Sequence, residues 1–347
     1  MAETPDGSGK SSSSGETTRT VLVAGAANVI VAVIKAIAGV LTGSSAMLAE
    51  SAHSVADTLN QAFLLTSIKR SSRPPDEEHP FGYGQERYFW SLLAAFGIFM
   101  LGAGFSVFEG ILALTTSQQE GSPLIAYIVL LLAGTAETIS FIRAYRQMRT
   151  EAKQEQTDLM EHVKTSPDTT VKAALFEDSA AVVGLAVAAI GIALRQLTGS
   201  NVYDGAASIA IGILLVVVAV RLGLDNKDLL IGRSADKRDL AAIREVIESS
   251  HGVDDLRDLL TMHLGPENLI VAARVSLAGN LSSDDAENLT NQIEIRLSEQ
   301  MPKMSQIFID PTPKKAERQK RAKKRRQKAE RDGAAANQAR NAEIIET

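Results

Sequence analysis

Two pairs of ionisable residues lie inside otherwise apolar runs. In "LAESAHSVADTLN", His53 and Asp57 are four residues apart; in "KAALFEDSAAVVGLAVAAIG", Glu177 and Asp178 are adjacent. On a helix, an i, i+4 pair shares one face about one turn apart. Imidazole and carboxylate on one face offer nitrogen and oxygen donors to a divalent cation, a set that suits Zn, Mn, Fe or Co. The same spacing also suits a His–Asp hydrogen bond that only tightens packing. Adjacent helical residues point about 100° apart, from 3.6 residues per turn. Glu177 and Asp178 are therefore not expected to face one small cavity together. One is expected to be a ligand and the other a supporting or helix-interface group, unless the pair is simply hydrated near a helix end. Glu109, Glu137 and Asp204 occur singly and read as interfacial or helix-pairing residues.

The elements that carry these residues read as membrane spans. A crossing helix needs about 20 mostly apolar residues. Six segments qualify: 20–41, 46–68, 88–115, 124–145, 170–197 and 203–222. The hydrophobic fraction of 45% is that of a soluble chain, but the apolar residues are concentrated in the first two thirds. Charged groups near a bilayer centre cost a few kcal/mol on insertion scales, so they mark a pathway or a site. The connectors after the second, fourth and sixth segments are rich in Lys and Arg. The others, "TGSS", "TSQQEGS" and "RQLTGSN", contain one Arg. The basic connectors place both termini on the cytoplasmic side. The chain has no cysteine, which excludes disulfides and thiolate metal sites. No HExxH or GxSxG motif is present, so an intramembrane hydrolase is not expected.

Past Asp225 the pattern changes. Leu240, Ile243, Val246 and Ile247 have helical spacing. "LRDLLTMHL", "GPEN" and "LIVAARVSL" read as a hairpin, with Val271, Ala273, Val275 and Leu277 alternating. "SSDDAENLTNQIEIRLSEQ" opens on a Ser/Asp cap and continues as an amphipathic helix. "SQIFIDP" is a short closing strand, expected to stop at Pro311. The resulting fold class is an α-helical membrane protein with six transmembrane helices, plus a C-terminal cytosolic α+β domain. That domain has a ferredoxin-like α-β-β-α-β order, with its helices on one face. The expected boundaries are a disordered tail at 1–18, the membrane domain at 19–224, the cytosolic domain at 225–311 and a basic tail at 312–347. The first tail lacks the basic-then-apolar pattern of a cleaved signal peptide. The basic tail suits lipid headgroups rather than nucleic acid. His251 reads as structural at a helix end. His263 reads as a strand residue, with metal binding at a dimer seam as its alternative.

Together these stretches resemble the cation diffusion facilitators, divalent metal/proton antiporters. The resemblance rests on "GSSAMLAESAHSVADTLNQ", "RPPDEEHPFGYGQERYFW" and "GRSADKRDL…GVDDLRDLLTMHLGPENLIVAARV" and covers roughly residues 20 to 311. It implies a homodimer embedded in a lipid bilayer, with a tetrahedral transport site between the second and fifth spans. Zn2+ or another divalent transition metal is then the substrate and H+ the counter-ion, in the plasma (inner) membrane of a bacterium. His53 and Asp57 match the family pair directly. In the fifth span the family has His or Asp four residues before Asp, whereas this chain has Glu177 with Ala181, or Asp178 if the register shifts. That departure resembles an "EDSAA" branch that includes a mitochondrial-type zinc transporter. With three protein ligands, water or Glu50 would complete the shell. "DEEHPFGYG" resembles a cytosolic metal-binding loop, with Asp76 and His79 retained and Tyr83 in place of its second His. The missing fifth-span ligand also suits a non-transporting membrane protein that senses metal or binds partners.

Overall fold

A computed structural model describes residues 28–116, 122–278 and 281–312. The chain divides into two compact units that part between Arg233 and Ser234, with His263–Pro266 grouped with the first. The first unit is helical. It contains α1 (Asn28–Thr42), α2 (Ser45–Ser71), α3 (Glu86–Gly97), a π-helical segment (Ile98–Ala103), α4 (Gly104–Thr115), α5 (Pro123–Gln154), α6 (Leu159–Thr165), α7 (Thr169–Thr198) and α8 (Val202–Leu230).

Four stretches are long and apolar enough to cross a membrane: Glu86–Thr115, Pro123–Gln154, Thr169–Thr198 and Val202–Leu230. Large apolar side chains such as Phe96, Leu131 and Val217 point outward from them, as lipid-facing residues do. The six expected spans thus resolve into these four and two of a different kind. α1 is a shorter apolar helix, and the earlier part of its segment lies outside the described residues. α2 has 27 residues, but Glu50, His53 and Asp57 interrupt its apolar run. α5 and α8 continue past their expected ends at 145 and 222, so the helical unit extends beyond residue 224. The short α6 has no apolar run and is not foreseen by hydropathy.

Small residues bring α8 close to two neighbours. A Cβ on Gly205 would stand 2.9 Å from the Gly110 carbonyl oxygen on α4, and one on Gly191 of α7 would stand 2.5 Å from the Ala207 Cβ. Backbones this close replace the hydrophobic effect as the source of packing in lipid. The π segment breaks the α3–α4 rod beside α2, where a Cβ on Gly102 would lie 3.7 Å from the Ala56 Cβ, next to Asp57. Such π insertions are frequent at functional sites.

The second unit contains α9 (Lys237–Glu248), β1 (Val253–Gly265), β2 (Asn268–Leu277), α10 (Ser283–Gln300) and β3 (Met304–Thr312). Its sheet has the order β1-β2-β3, with β2 and β3 parallel. The expected α-β-β-α-β order is therefore present. Leu269, Val271, Ala273 and Val275 alternate onto the buried face, where Ile243, Val246 and Ile247 of α9 and Leu289, Ile293 and Leu297 of α10 cover them. Ser282 and Asp285 form a capping box at the start of α10. One expectation is corrected: Pro311 does not end the last strand but pairs with Val275 inside it. β3 is an edge strand, so a missing N–H on its free side breaks no ladder bond.

Candidate metal centre

α2 starts from a two-oxygen anchor. Asp204 at the head of α8 is buried and accepts hydrogen bonds from the Ser44 hydroxyl (2.7 Å), the Ser45 N–H (2.6 Å) and the Ser45 hydroxyl (2.9 Å). Arg195 of α7 donates to the Gly43 carbonyl at 2.7 Å and stands 3.7 Å from Asp204. A carboxylate from another helix thus satisfies the Ser45 N–H at the α2 terminus, and the Ser44 hydroxyl that it holds accepts the Met47 N–H, in the position that favours negative charge. This fixes the rotation of α2 and the face that carries His53 and Asp57.

The His53 Nδ1 and the Asp57 Oδ1 are 3.7 Å apart, beyond hydrogen-bonding distance. Both His53 ring nitrogens and Asp57 Oδ1 are buried and make no hydrogen bond in the structure. A His–Asp hydrogen bond that only tightens packing is therefore not what the spacing produces. Buried polar atoms without partners are rare in native structures and call for an explanation.

α7 gives its two carboxylates different partner helices, yet both line one cavity, against the expectation that adjacent residues would not share it. Glu177 turns toward α2, where its Oε2 accepts a hydrogen bond from the Asn60 amide, and its Oε1 makes none. Asp178 turns toward α5 and accepts from the Ser140 hydroxyl at 2.8 Å. A polar cavity of about 360 Å³ between these helices is lined by Asp57, Asn60, Glu137, Ser140, Glu177 and Asp178, among others. His53 is buried one turn along α2 from this wall. Among the described residues, no three His, Asp or Glu side chains converge closely enough to hold a metal ion. The four candidates stand as two pairs brought to one region by α2 and α7.

Two residues at this site carry no mark in the sequence reading. Asn60 is a neutral amide in a run already rich in polar residues, but it lies three residues from Asp57 and seven from His53, a spacing that puts all three on one face of α2. Lys35 is a single cation in an apolar run. It is fully buried, donates to the Ser54 hydroxyl at 2.9 Å and to Glu50 Oε2 at 3.2 Å, and stands 3.9 Å from Glu137 Oε1. Glu50 Oε2 is thus held by an ammonium group, while its Oε1 is buried and makes no hydrogen bond.

The other candidates lie apart from this cavity. In the loop between α2 and α3, Asp76 Oδ1 accepts the His79 N–H at 2.7 Å and its Oδ2 accepts the Tyr83 hydroxyl at 2.6 Å. The His79 and Tyr83 rings stack with centroids 4.2 Å apart. Both Asp76 oxygens therefore close the loop on itself. The Tyr83 hydroxyl bond, and then the His79 N–H bond, hold the Asp76 carboxyl below the usual range. Its contribution to loop order is present above the ordinary carboxylate pKa of about 4. It is lost as pH falls through the lowered folded value. Tyr83→Phe removes the first of these bonds, so Asp76 in that variant should titrate nearer the ordinary range. An NMR titration of the Asp76 carboxyl carbon reads this directly, and an unchanged titration would contradict the loop geometry. His263 is buried within β1, and His251 is exposed beside Gly252 at the end of α9.

Comparison with known proteins agrees with this architecture. The family model "Cation efflux transmembrane domain" matches residues 21–231, and "Cation efflux protein, cytoplasmic domain" matches residues 235–314. The chain belongs to the cation efflux family, a family of membrane transporters. It is 35% identical over 281 residues to the "Proton-coupled zinc antiporter SLC30A9, mitochondrial" of Xenopus laevis, covering 79% of this chain and 50% of that protein. It is 35% identical to "Metal tolerance protein C4" of Arabidopsis thaliana, over 69% of this chain and 52% of that protein. The chain therefore spans about half the length of these relatives. It is 26% identical to the "Manganese efflux system protein MneS" of Bacillus subtilis, over 84% of this chain and 95% of that protein.

Proposed function

We propose that this chain moves a divalent transition-metal cation, zinc first, across a membrane in exchange for protons. The observation that carries this reading is the pair of unpartnered acceptors, Asp57 Oδ1 and Glu177 Oε1, on two carboxylates that line one buried cavity from different helices. An imidazole with both nitrogens unpartnered lies one turn away. Nitrogen and carboxylate oxygen donors without thiolate suit Zn2+ and leave Mn2+, Fe2+ and Co2+ as competitors. The relatives' names, a zinc antiporter and a manganese efflux protein, give the same choice.

In this reading His53, Asp57 and Glu177 are ligands, and Asp178, tied to Ser140, supports α7 against α5. Small movements of α2 against α7 bring the two pairs together around the ion. Asp76 and His79 close their loop instead of forming a second site. Ligand atoms must be deprotonated to bind metal, so metal and protons compete for the same atoms. A cavity that opens to one side and then the other exchanges them. The C-terminal unit pairs two copies of the chain. The basic connectors favour both termini in the cytoplasm; of the relatives, the bacterial one at 26% identity favours a bacterial plasma membrane and the mitochondrial one at 35% favours a mitochondrial membrane.

The test is flux into proteoliposomes that carry a metal-sensitive dye and a pH gradient, with Asp57→Ala as the comparison. Zinc influx in the wild type, dependent on the gradient and lost in the variant, is expected. Equal movement of Zn, Mn, Fe and Co by both proteins would end the transport reading and leave a non-transporting role in metal sensing or partner binding.

A further inference from the structure

Behind the cavity wall lies a second polar cluster that the proposed ligand set does not use. Its centre is the Lys35 ammonium. Around it stand the Ser54 hydroxyl at 2.9 Å, Glu50 Oε2 at 3.2 Å and Glu137 Oε1 at 3.9 Å. These oxygens come from α2 and α5, and the cation comes from α1. Glu50 also abuts α7, since a Cβ on Gly184 would lie 2.4 Å from its Oε1. Glu137 belongs to both places: it lines the metal cavity and faces the ammonium.

Three oxygens, from a hydroxyl and two carboxylates, supply part of the oxygen shell that a divalent cation takes. Here a side-chain cation fills this cradle. Both the ammonium and Glu50 are completely buried. A charge in lipid persists only where it is paired or functional. With Glu50, Asp57, Glu137, Glu177 and Asp178 in one region, the surroundings would otherwise attract more than one dication.

We propose that Lys35 is a tethered cation that occupies this cradle and so limits the membrane site to one dication per chain. It withholds Glu50 and Glu137 from metal. A single bound ion then meets only the ligands that release it, without a second ion locked behind it. Lys35 is on this view a determinant of metal stoichiometry, and the role rests on the transport reading for its purpose.

Equilibrium dialysis of the purified full chain against Zn2+, and separately against Mn2+, tests the proposal by counting ions. Lys35→Ala is expected to bind one more dication per chain than the wild type. Lys35→Arg should bind the wild-type number, since it keeps the charge. Lys35→Ala with Glu50→Gln should return to the wild-type number, because the cradle loses a carboxylate. Lys35→Gln, which keeps a donor toward Ser54, is the variant to count if Lys35→Ala does not fold. In proteoliposomes the neutral variants should transport at least 10-fold more slowly, with half-saturation no higher than the wild type. An unchanged ion count in the neutral variants overturns the proposal, whatever their flux. Absence of wild-type flux overturns the transport reading instead and leaves the ion count to be judged separately.

Discussion

Glu177→Gln is expected to reduce metal flux about 100-fold or more, while Asp178→Asn stays within about 10-fold of the wild type. The loss of a group that only orients a ligand typically costs 10- to 100-fold in metal affinity, and removing a ligand costs at least the upper end of that range. The two carboxylates are neighbours in sequence, so their difference comes entirely from direction. Glu177 reaches Asn60 on α2 and keeps one oxygen unpartnered, whereas Asp178 is held by Ser140 on α5. Asn60→Ala, which frees Glu177 to swing, should fall between them at about 10- to 100-fold. Gradient-driven zinc flux and direct zinc binding on the same preparations decide the order. If Asp178→Asn is the inactive variant and Glu177→Gln the active one, α7 presents its other face to the ion and the assignment is reversed.

That assignment could not be read from the sequence, for a physical reason. Composition shows that two carboxylates lie in an apolar helix, but not how the helix is rotated. Rotation is set by packing: Gly184 lets Glu50 press against α7, and Gly191 lets α8 approach Ala207-first. The His53–Asp57 pair was legible because an i, i+4 spacing fixes a shared face whatever the rotation. The fold of the C-terminal unit was legible for the same kind of reason, since alternation at Val271, Ala273 and Val275 needs no partner to be recognised. Pro311 misled because a proline ends most strands, and only the sheet order reveals that β3 lies at an edge. Lys35 is not legible in the sequence because one cation does not break an apolar run. Its meaning depends on Ser54, Glu50 and Glu137, which lie 19, 15 and 102 residues away along the chain and meet it only in the fold.

The second large effect is expected far from the cavity, at Asp204. Removing one partner of a buried ion pair leaves an uncompensated charge and costs about 3–5 kcal/mol. Asp204→Ala leaves the Arg195 guanidinium without its carboxylate. It also strips three hydrogen bonds from Ser44 and Ser45 at the start of α2. Asp204→Asn keeps the shape but turns an amide donor toward groups that already donate, so it should rescue only part of the loss. Thermal unfolding of the full chain in one detergent reads both variants, with Asp204→Ala the less stable. His53 lies eight residues beyond Ser45, about 12 Å along the helix at 1.5 Å per residue. Frayed first turns should therefore also weaken zinc binding, although no ligand has changed. Arg195→Met in the Asp204→Ala background removes the stranded charge and should recover part of the stability but not the zinc affinity, because the α2 terminus remains unanchored. Recovery of both together would mean that the stranded charge alone causes the damage, and that Asp204 does not hold the metal-binding face of α2 in place.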